Sequence, residues 1–167
     1  MNTTDILIIG AGAAGRCNFT NLHTKPGNYL SRNPRFCVSA LARYTPQDFI
    51  ALITKHNIAY HEKTLGQLFC DGSAQQIIDM LVTECRTAGA ELHLSTKVTG
   101  ISMQDERFTV TTLAGEWRAA SVVVASGGLS IPKMGASGFG YEIAKQFGIP
   151  LLRGRATLRS TLRDAIV

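Results

Sequence analysis

The stretch Asp5-Ile6-Leu7-Ile8-Ile9-Gly10-Ala11-Gly12-Ala13-Ala14-Gly15-Arg16 decides the fold. The unbroken aliphatic run from Ile6 to Ile9 predicts a strand buried on both faces, as in the middle of a parallel sheet. It ends at a glycine and opens into G-x-G-x-x-G. In that spacing the first glycine permits a tight turn, the second lets backbone approach a pyrophosphate, and the third lets the next helix pack close to the strand. Phosphate charge then rests on the free N–H groups and positive dipole end of that helix. Gly10, Ala11, Gly12, Ala13, Ala14 and Gly15 are therefore candidate dinucleotide-binding residues. The competing reading is a plain Gly/Ala turn after a buried strand.

The helix that should follow is not visible. From Arg16 to Pro34 the chain is dense in Asn, Thr, Pro and Gly and carries no 3.6-residue apolar stripe. No Asp or Glu lies between Asp5 and Asp48, so the acid that normally accepts the ribose hydroxyls has no candidate. The first half of the nucleotide fold is incomplete, lacking its first crossover helix and second strand.

Further along, residues 35–44 can form a short helix. Thr45-Pro46-Gln47-Asp48 supplies an N-cap, a proline at the first helical position and an acidic third position. Phe49, Ile50, Leu52 and Ile53 form the buried stripe of the helix it starts. Residues 58–61 and 66–70 read as short extended pieces around a turn. Ser73 caps the next helix, with Gln76 closing a capping box, and Ile77, Ile78, Leu81, Val82 and Cys85 face inward; Gly89 stops it. Ala90 to Ser95 reads as a strand buried by that helix. Alternation and turns from Thr96 to Trp117 predict a small antiparallel meander. Ser121 to Ala125 reads as a second doubly buried strand, ending at Ser126-Gly127-Gly128 where ligands bind in open α/β sheets. A helix over Tyr141–Phe147 is stopped by Gly148, and Arg153 to Val167 can form another. The fold class is thus α/β, a Rossmann-like dinucleotide-binding parallel sheet with a small antiparallel meander.

Among 167 residues, 45% are hydrophobic and 17% charged, which suits a globular domain with a real core. No run approaches the ~20 apolar residues of a membrane span, and the N-terminus lacks the features of a secretory signal. Cytoplasm and no membrane partner are the expectation. Cys17, Cys37, Cys70 and Cys85 show no C-x-x-C spacing, and His23, His56, His61 and His93 show no metal-ligand spacing, so reduced thiols and no metal are expected. Net charge is +5. Arg153, Arg155, Arg159 and Arg163 crowd the end without interleaved aromatics, which reads as a solvated tail rather than a nucleic-acid interface. Neither Gly128-Leu129-Ser130 nor Gly135-Ala136-Ser137-Gly138 completes G-x-S-x-G, so a nucleophile elbow is excluded.

The blocks Gly10–Gly15, Arg16-Cys17-Asn18-Phe19-Thr20-Asn21, Gly66–Ala74 and Ala125–Pro132, continuing through Gly135, Gly140 and Tyr141, form an ordered set. That set resembles the BaiN-like (aminoacetone-oxidase-like) NAD(P)/FAD-dependent flavoproteins, whose nucleotide domain is of the glutathione-reductase type. The resemblance narrows the fold to a FAD/NAD(P)-binding one and implies FAD as cofactor, NAD(P)H as a possible electron donor and a small-molecule substrate. It places Gly10, Gly12 and Gly15 at the pyrophosphate, with Arg16, Cys17 and Asn18 on the flavin side. Val98 would offer backbone to the adenine, and Ser126, Gly127 and Gly128 would lie close to the cofactor. No catalytic acid or base is assigned.

The departures are specific. In the family a helix, a strand with the ribose-binding acid and a Gly-rich segment separate the first two blocks; here Gly15 abuts Arg16. The likeness fades near Leu152, giving a partial FAD-binding domain over 1–152 and a divergent basic tail over 153–167. An internal deletion with a premature or frame-shifted end is the expectation. Three functions follow: a FAD-dependent oxidoreductase transferring hydride through the flavin, a non-catalytic remnant that has lost FAD, or a minimal nucleotide-binding module.

Overall fold

A computed structural model describes residues 2–10, 18–29, 33–127 and 138–151. These fall into two compact units, one holding 2–10, 92–127 and 138–151, the other 18–29 and 33–91.

The first unit is built on β7 (Gly115–Val124). On one side β7 receives β1 (Asn2–Ile9) in parallel, with Asn2 opposite Trp117 and Ile9 opposite Val124. On the other it pairs antiparallel with β6 (Arg107–Thr112), which pairs antiparallel with β5 (Val98–Gln104), so the order is β1-β7-β6-β5. Asp105 and Glu106, both with positive φ, make the two-residue turn between β5 and β6 that matches the twist of a hairpin. At the next turn the Thr112 hydroxyl accepts from Ala114 N–H at 3.1 Å and donates to the Gly115 carbonyl at 2.8 Å. Ile101, Val110 and Ala119 are the buried hydrophobic residues of this sheet, joined by the buried Thr112. Helix α4 (Phe139–Gln146) lies against it: Phe147, just past the helix, meets Phe108 edge-on at 5.8 Å, and Gln146 Nε2 donates to the Ile101 carbonyl at 2.5 Å.

The second unit contains β2 (Asn18–Asn21), β3 (Tyr60–Glu62) and β4 (Gln67–Cys70) in the antiparallel order β2-β4-β3. It also holds α1 (Val38–Arg43), α2 (Pro46–Lys55) and α3 (Ala74–Thr87). Thr45 caps α2 as the sequence predicts: its N–H donates to Asp48 Oδ2 at 2.7 Å, and Asp48 N–H donates to the Thr45 hydroxyl at 3.2 Å. The Thr45 hydroxyl also donates to Asp48 Oδ2 at 2.6 Å, and this bond, with the one from the Thr45 N–H, holds the Asp48 carboxyl below the usual range. Ile53, Ile58, Cys70 and Met80 form the core, with Phe19, Phe49, Leu52, Ile77 and Leu81 packed around it. Lys55 Nζ and His56 Nε2 both reach Glu84 Oε1, at 2.7 and 2.6 Å, tying the end of α2 to α3.

The fold class read from the sequence holds: the chain is a Rossmann-like α/β domain with a mixed sheet and few helices. Several local expectations need correction. The opening strand is not mid-sheet. Among the described residues β7 is its only neighbour, and Ile6 and Ile8 are 60% and 63% exposed. Among the described residues no strand pairs with the other edge of β1. Ser121–Val124 is not a separate strand but the far half of β7, because Trp117, Arg118 and Ala119 pair with both β6 and β1 and carry the meander straight into the parallel ladder. It is not doubly buried either, since Val123 and Val124 are exposed. Ala90–Ser95 is not a strand: its large apolar residues, Leu92 and Leu94, are both exposed, and Ser95 has a left-handed φ of 54° that breaks extension. On α3 the buried residue is Met80, whereas Cys85 is exposed. Ser73 caps that helix through Gln75 N–H at 3.0 Å, and the expected box with Gln76 is not formed. The helix expected over 153–167 and the basic tail lie outside the described residues.

Candidate functional site

At the carboxyl ends of β1 and β7 two backbones run side by side. The Ala125 N–H donates to the Ile9 carbonyl at 2.7 Å, extending the parallel ladder one step past β7. Gly10 then leaves the strand at a φ of 118°, open to glycine and strained for any L side chain. A Cβ there would press on the Ala125 carbonyl oxygen and lie 2.6 Å from its carbon and 2.8 Å from Ser126 N. Gly10 is therefore required twice over, by conformation and by space.

Across the junction Ser126 ends the ladder of β7 with its Oγ buried and without a hydrogen-bond partner among the described residues. Gly140 of α4 closes behind it. A Cβ at Gly140 would sit 3.6 Å from Val124 Cγ1 and 3.8 Å from Ser126 Oγ, an ordinary packing distance. Gly127 follows with a φ of 74° and open space about it. Glycine backbones converging with an unpaired hydroxyl at the carboxyl edge of parallel strands fit the approach of a diphosphate.

The structure brings Gly10, Ser126 and Gly127 together. Ala11, Gly12, Ala13, Ala14, Gly15, Arg16, Cys17 and Gly128 lie outside the described residues. Val98 opens β5 beside Thr112, which in turn pairs with Gly115, the first residue of β7. It thus stands at the opposite end of β7 from Gly10. Asn18 belongs to the second unit, where it pairs with Phe69 across β2 and β4.

In the second unit the structure joins two of the sequence blocks directly. Asn21 Nδ2 donates to the Leu65 carbonyl at 2.9 Å, and its Oδ1 accepts from His23 N–H at 2.8 Å. Leu22 N–H donates to the Gly66 carbonyl at 2.9 Å. The Asn-rich block thus fastens the tip of the β3–β4 hairpin, where Leu65 holds a left-handed φ of 54°. The one sequence hint of this was an isolated Leu-Gly pair between two extended runs. Among the described residues no cluster of three His, Cys, Asp or Glu could hold a metal, and no helix is long and apolar enough to cross a membrane.

A mixed Rossmann-like sheet with glycines at its parallel carboxyl edge defines a nucleotide-binding class of protein. More narrowly, residues 6–154 match the family described as HI0933-like protein Rossmann domain, and the chain belongs to that family. Two curated relatives are each named "Ribosomal RNA dihydrouridine synthase". The protein from Escherichia coli (strain K12) is 55% identical over 144 residues, 86% of this chain and 36% of its own length. The protein from Haemophilus influenzae (strain ATCC 51907 / DSM 11121 / KW20 / Rd) is 50% identical over 157 residues, 92% of this chain and 38% of its own length. The chain spans a little over a third of these relatives. Among solved structures, the open form of NikD, an amino acid oxidase of nikkomycin biosynthesis, is similar over 53% of this chain and 28% of its own, at 24% identity and a TM-score of 0.32. That superposition is too slight to define a shared arrangement.

Proposed function

We propose that this chain is the nucleotide-binding part of a flavin-dependent oxidoreductase, with the FAD diphosphate received where β1 and β7 end. The observation that supports this is the Gly10 junction, which excludes a side chain by both φ and contact and leaves the Ser126 hydroxyl unpaired beside it. Gly10, Ser126 and Gly127 would hold the cofactor through backbone N–H groups and that hydroxyl, with residues 11–15 continuing the cradle. FAD, when bound, supplies the two-electron chemistry of hydride transfer. A reduced nicotinamide is the electron source we favour, in keeping with the likeness to BaiN-like flavoproteins.

For the whole protein, the relatives' shared name supports a substrate that the sequence reading did not expect. We assign it uridine within ribosomal RNA, reduced to dihydrouridine. The expectation of no nucleic-acid partner rests on the arginine-rich end lacking interleaved aromatics and on the absence of a recognised nucleic-acid motif.

A second reading concerns this chain by itself: it releases FAD readily, as a non-catalytic remnant would. Ile6 and Ile8 stand exposed beside the junction, and no acid between Asp5 and Asp48 is present for the ribose. The visible absorption spectrum of the purified chain, followed by titration with FAD, tests both. Flavin bands that persist through gel filtration support a retained cofactor. Colourless protein whose FAD affinity falls on Gly10→Ala supports the weakened site. Colourless protein indifferent to both FAD and Gly10→Ala overturns the assignment.

A further inference from the structure

In the β2-β4-β3 sheet, Asn18, Phe69 and His61 form one row. Asn18 is the register partner of Phe69, and Phe69 is the partner of His61. Directly opposed residues share a face. The alternate residues Phe19, Tyr60 and Cys70 take the other face: Cys70 is in the core, and Phe19 packs on Phe49 and Tyr60. Phe69 and His61 therefore face away from that core, and Asn18 adjoins them as the register partner of Phe69, next to the register shift between Asn18 and Thr20.

Its rings are arranged as a surface. The His61 and Phe69 planes are 20° apart with centroids at 6.3 Å, near-parallel and offset. Asp71 Oδ1 lies 2.6 Å from His61 Nδ1 and fixes that ring. Lys63 brings its ammonium to 5.2 Å from the Phe69 centroid. Phe69 keeps partial exposure, and His61 and Lys63 are exposed.

We propose that this face is a nucleobase platform that takes a uridine nucleotide of single-stranded RNA, an inference resting on the ribosomal-RNA reading above. Stacking on an aromatic pair is how unpaired bases are held. The Asn18 amide offers one donor and one acceptor side by side, the complement of the uracil imide with its N–H between two carbonyls. Lys63 supplies a cation for the adjoining phosphate. Of the two carboxylates close by, Asp71 is turned onto His61, and Glu62 alternates to the other face.

The test is fluorescence anisotropy with labelled oligouridine and oligoadenine eight-mers, comparing wild type with Lys63→Ala, Phe69→Leu and Asn18→Ala, each checked for an unchanged far-UV circular dichroism spectrum and melt. Phe69→Leu is expected to weaken oligouridine binding roughly 5- to 100-fold, the range of one lost base stack. Lys63→Ala should weaken both oligomers and lower the slope of log affinity against log salt by about one unit or slightly less. Asn18→Ala should remove the preference for uridine over adenine. Because Lys63 is exposed, its variant keeps the test valid even if Phe69→Leu fails to fold. Wild type that binds neither oligomer overturns the RNA reading and the platform together. RNA binding unaffected by all three variants overturns the platform alone. Oligouridine displaced stoichiometrically by FMN also overturns it, because the face would then belong to a flavin ring.

Discussion

The side-chain amide of Asn21 donates to the carbonyl of Leu65 at 2.9 Å, tying a strand near the start of the second unit to a hairpin tip 44 residues later. Leu65 is 77% exposed and left-handed, so the conformation is held against its own preference by this bond and the neighbouring Leu22–Gly66 pairing.

Asn21→Ala is therefore expected to cost about 1–2 kcal/mol, somewhat more than an isolated exposed hydrogen bond because the strain at Leu65 loses its restraint. Leu65→Gly should do the reverse, gaining up to about 1 kcal/mol by removing the left-handed penalty. Urea midpoints of the two variants check both signs.

Gly10→Ala places a methyl group against the Ala125 and Ser126 backbone at a φ that alanine resists. A loss of about 2–4 kcal/mol is expected from strain and contact together. Gly127→Ala meets no atom and should cost only its φ penalty, about 1–2 kcal/mol. Thermal melts of the pair, read beside FAD titration, separate crowding from conformation.

Met80 is 2% exposed in the core of the second unit, while Cys85, five residues further along the helix, is exposed. Met80→Ala should cost about 2–5 kcal/mol and Cys85→Ala less than about 0.5 kcal/mol. Equal effects in denaturant unfolding would place the buried face of α3 elsewhere.

Glu84 receives Lys55 and then His56, and those two hydrogen bonds hold its carboxyl below the ordinary value. A carboxyl depressed in the folded state binds its proton more readily once unfolded, so the stability it contributes is present above the ordinary carboxylate range and lost as pH falls through it. Wild type should lose more melting temperature than Glu84→Gln between about pH 5 and pH 3. Parallel curves for the two proteins would remove Glu84 from the acid response.

What the sequence made readable was local. Thr45 and Asp48 announced their cap by spacing, the chain from Val98 onward announced two hairpins by alternation, and Gly10 announced the end of β1. What it hid depended on partners far along the chain. Nothing in Trp117-Arg118-Ala119 shows that one strand serves both an antiparallel and a parallel neighbour. Nothing in Ile6–Ile9 shows which of two covering layers is present. The stripe read on α3 runs through Cys85 and passes over Met80, whereas in the fold Met80 packs with Ile53 and Cys70 in the core and Cys85 is exposed. The glycines from Gly12 to Gly15 lie outside the described residues, so the cradle is read from its two ends, Gly10 and Ser126.

The pairing of residues 2–9 with residues 117–124 closes a loop of more than a hundred residues. The β5–β6–β7 hairpins need only contacts with near neighbours in sequence, so they can zip up quickly, whereas the docking of β1 bears the slow, entropically costly closure. On the ribosome β1 emerges more than a hundred residues before its only described neighbour. Throughout that interval a bare aliphatic strand is available to any other unpaired edge, which makes chaperone supply and synthesis rate a natural control on how much of this protein reaches its folded state.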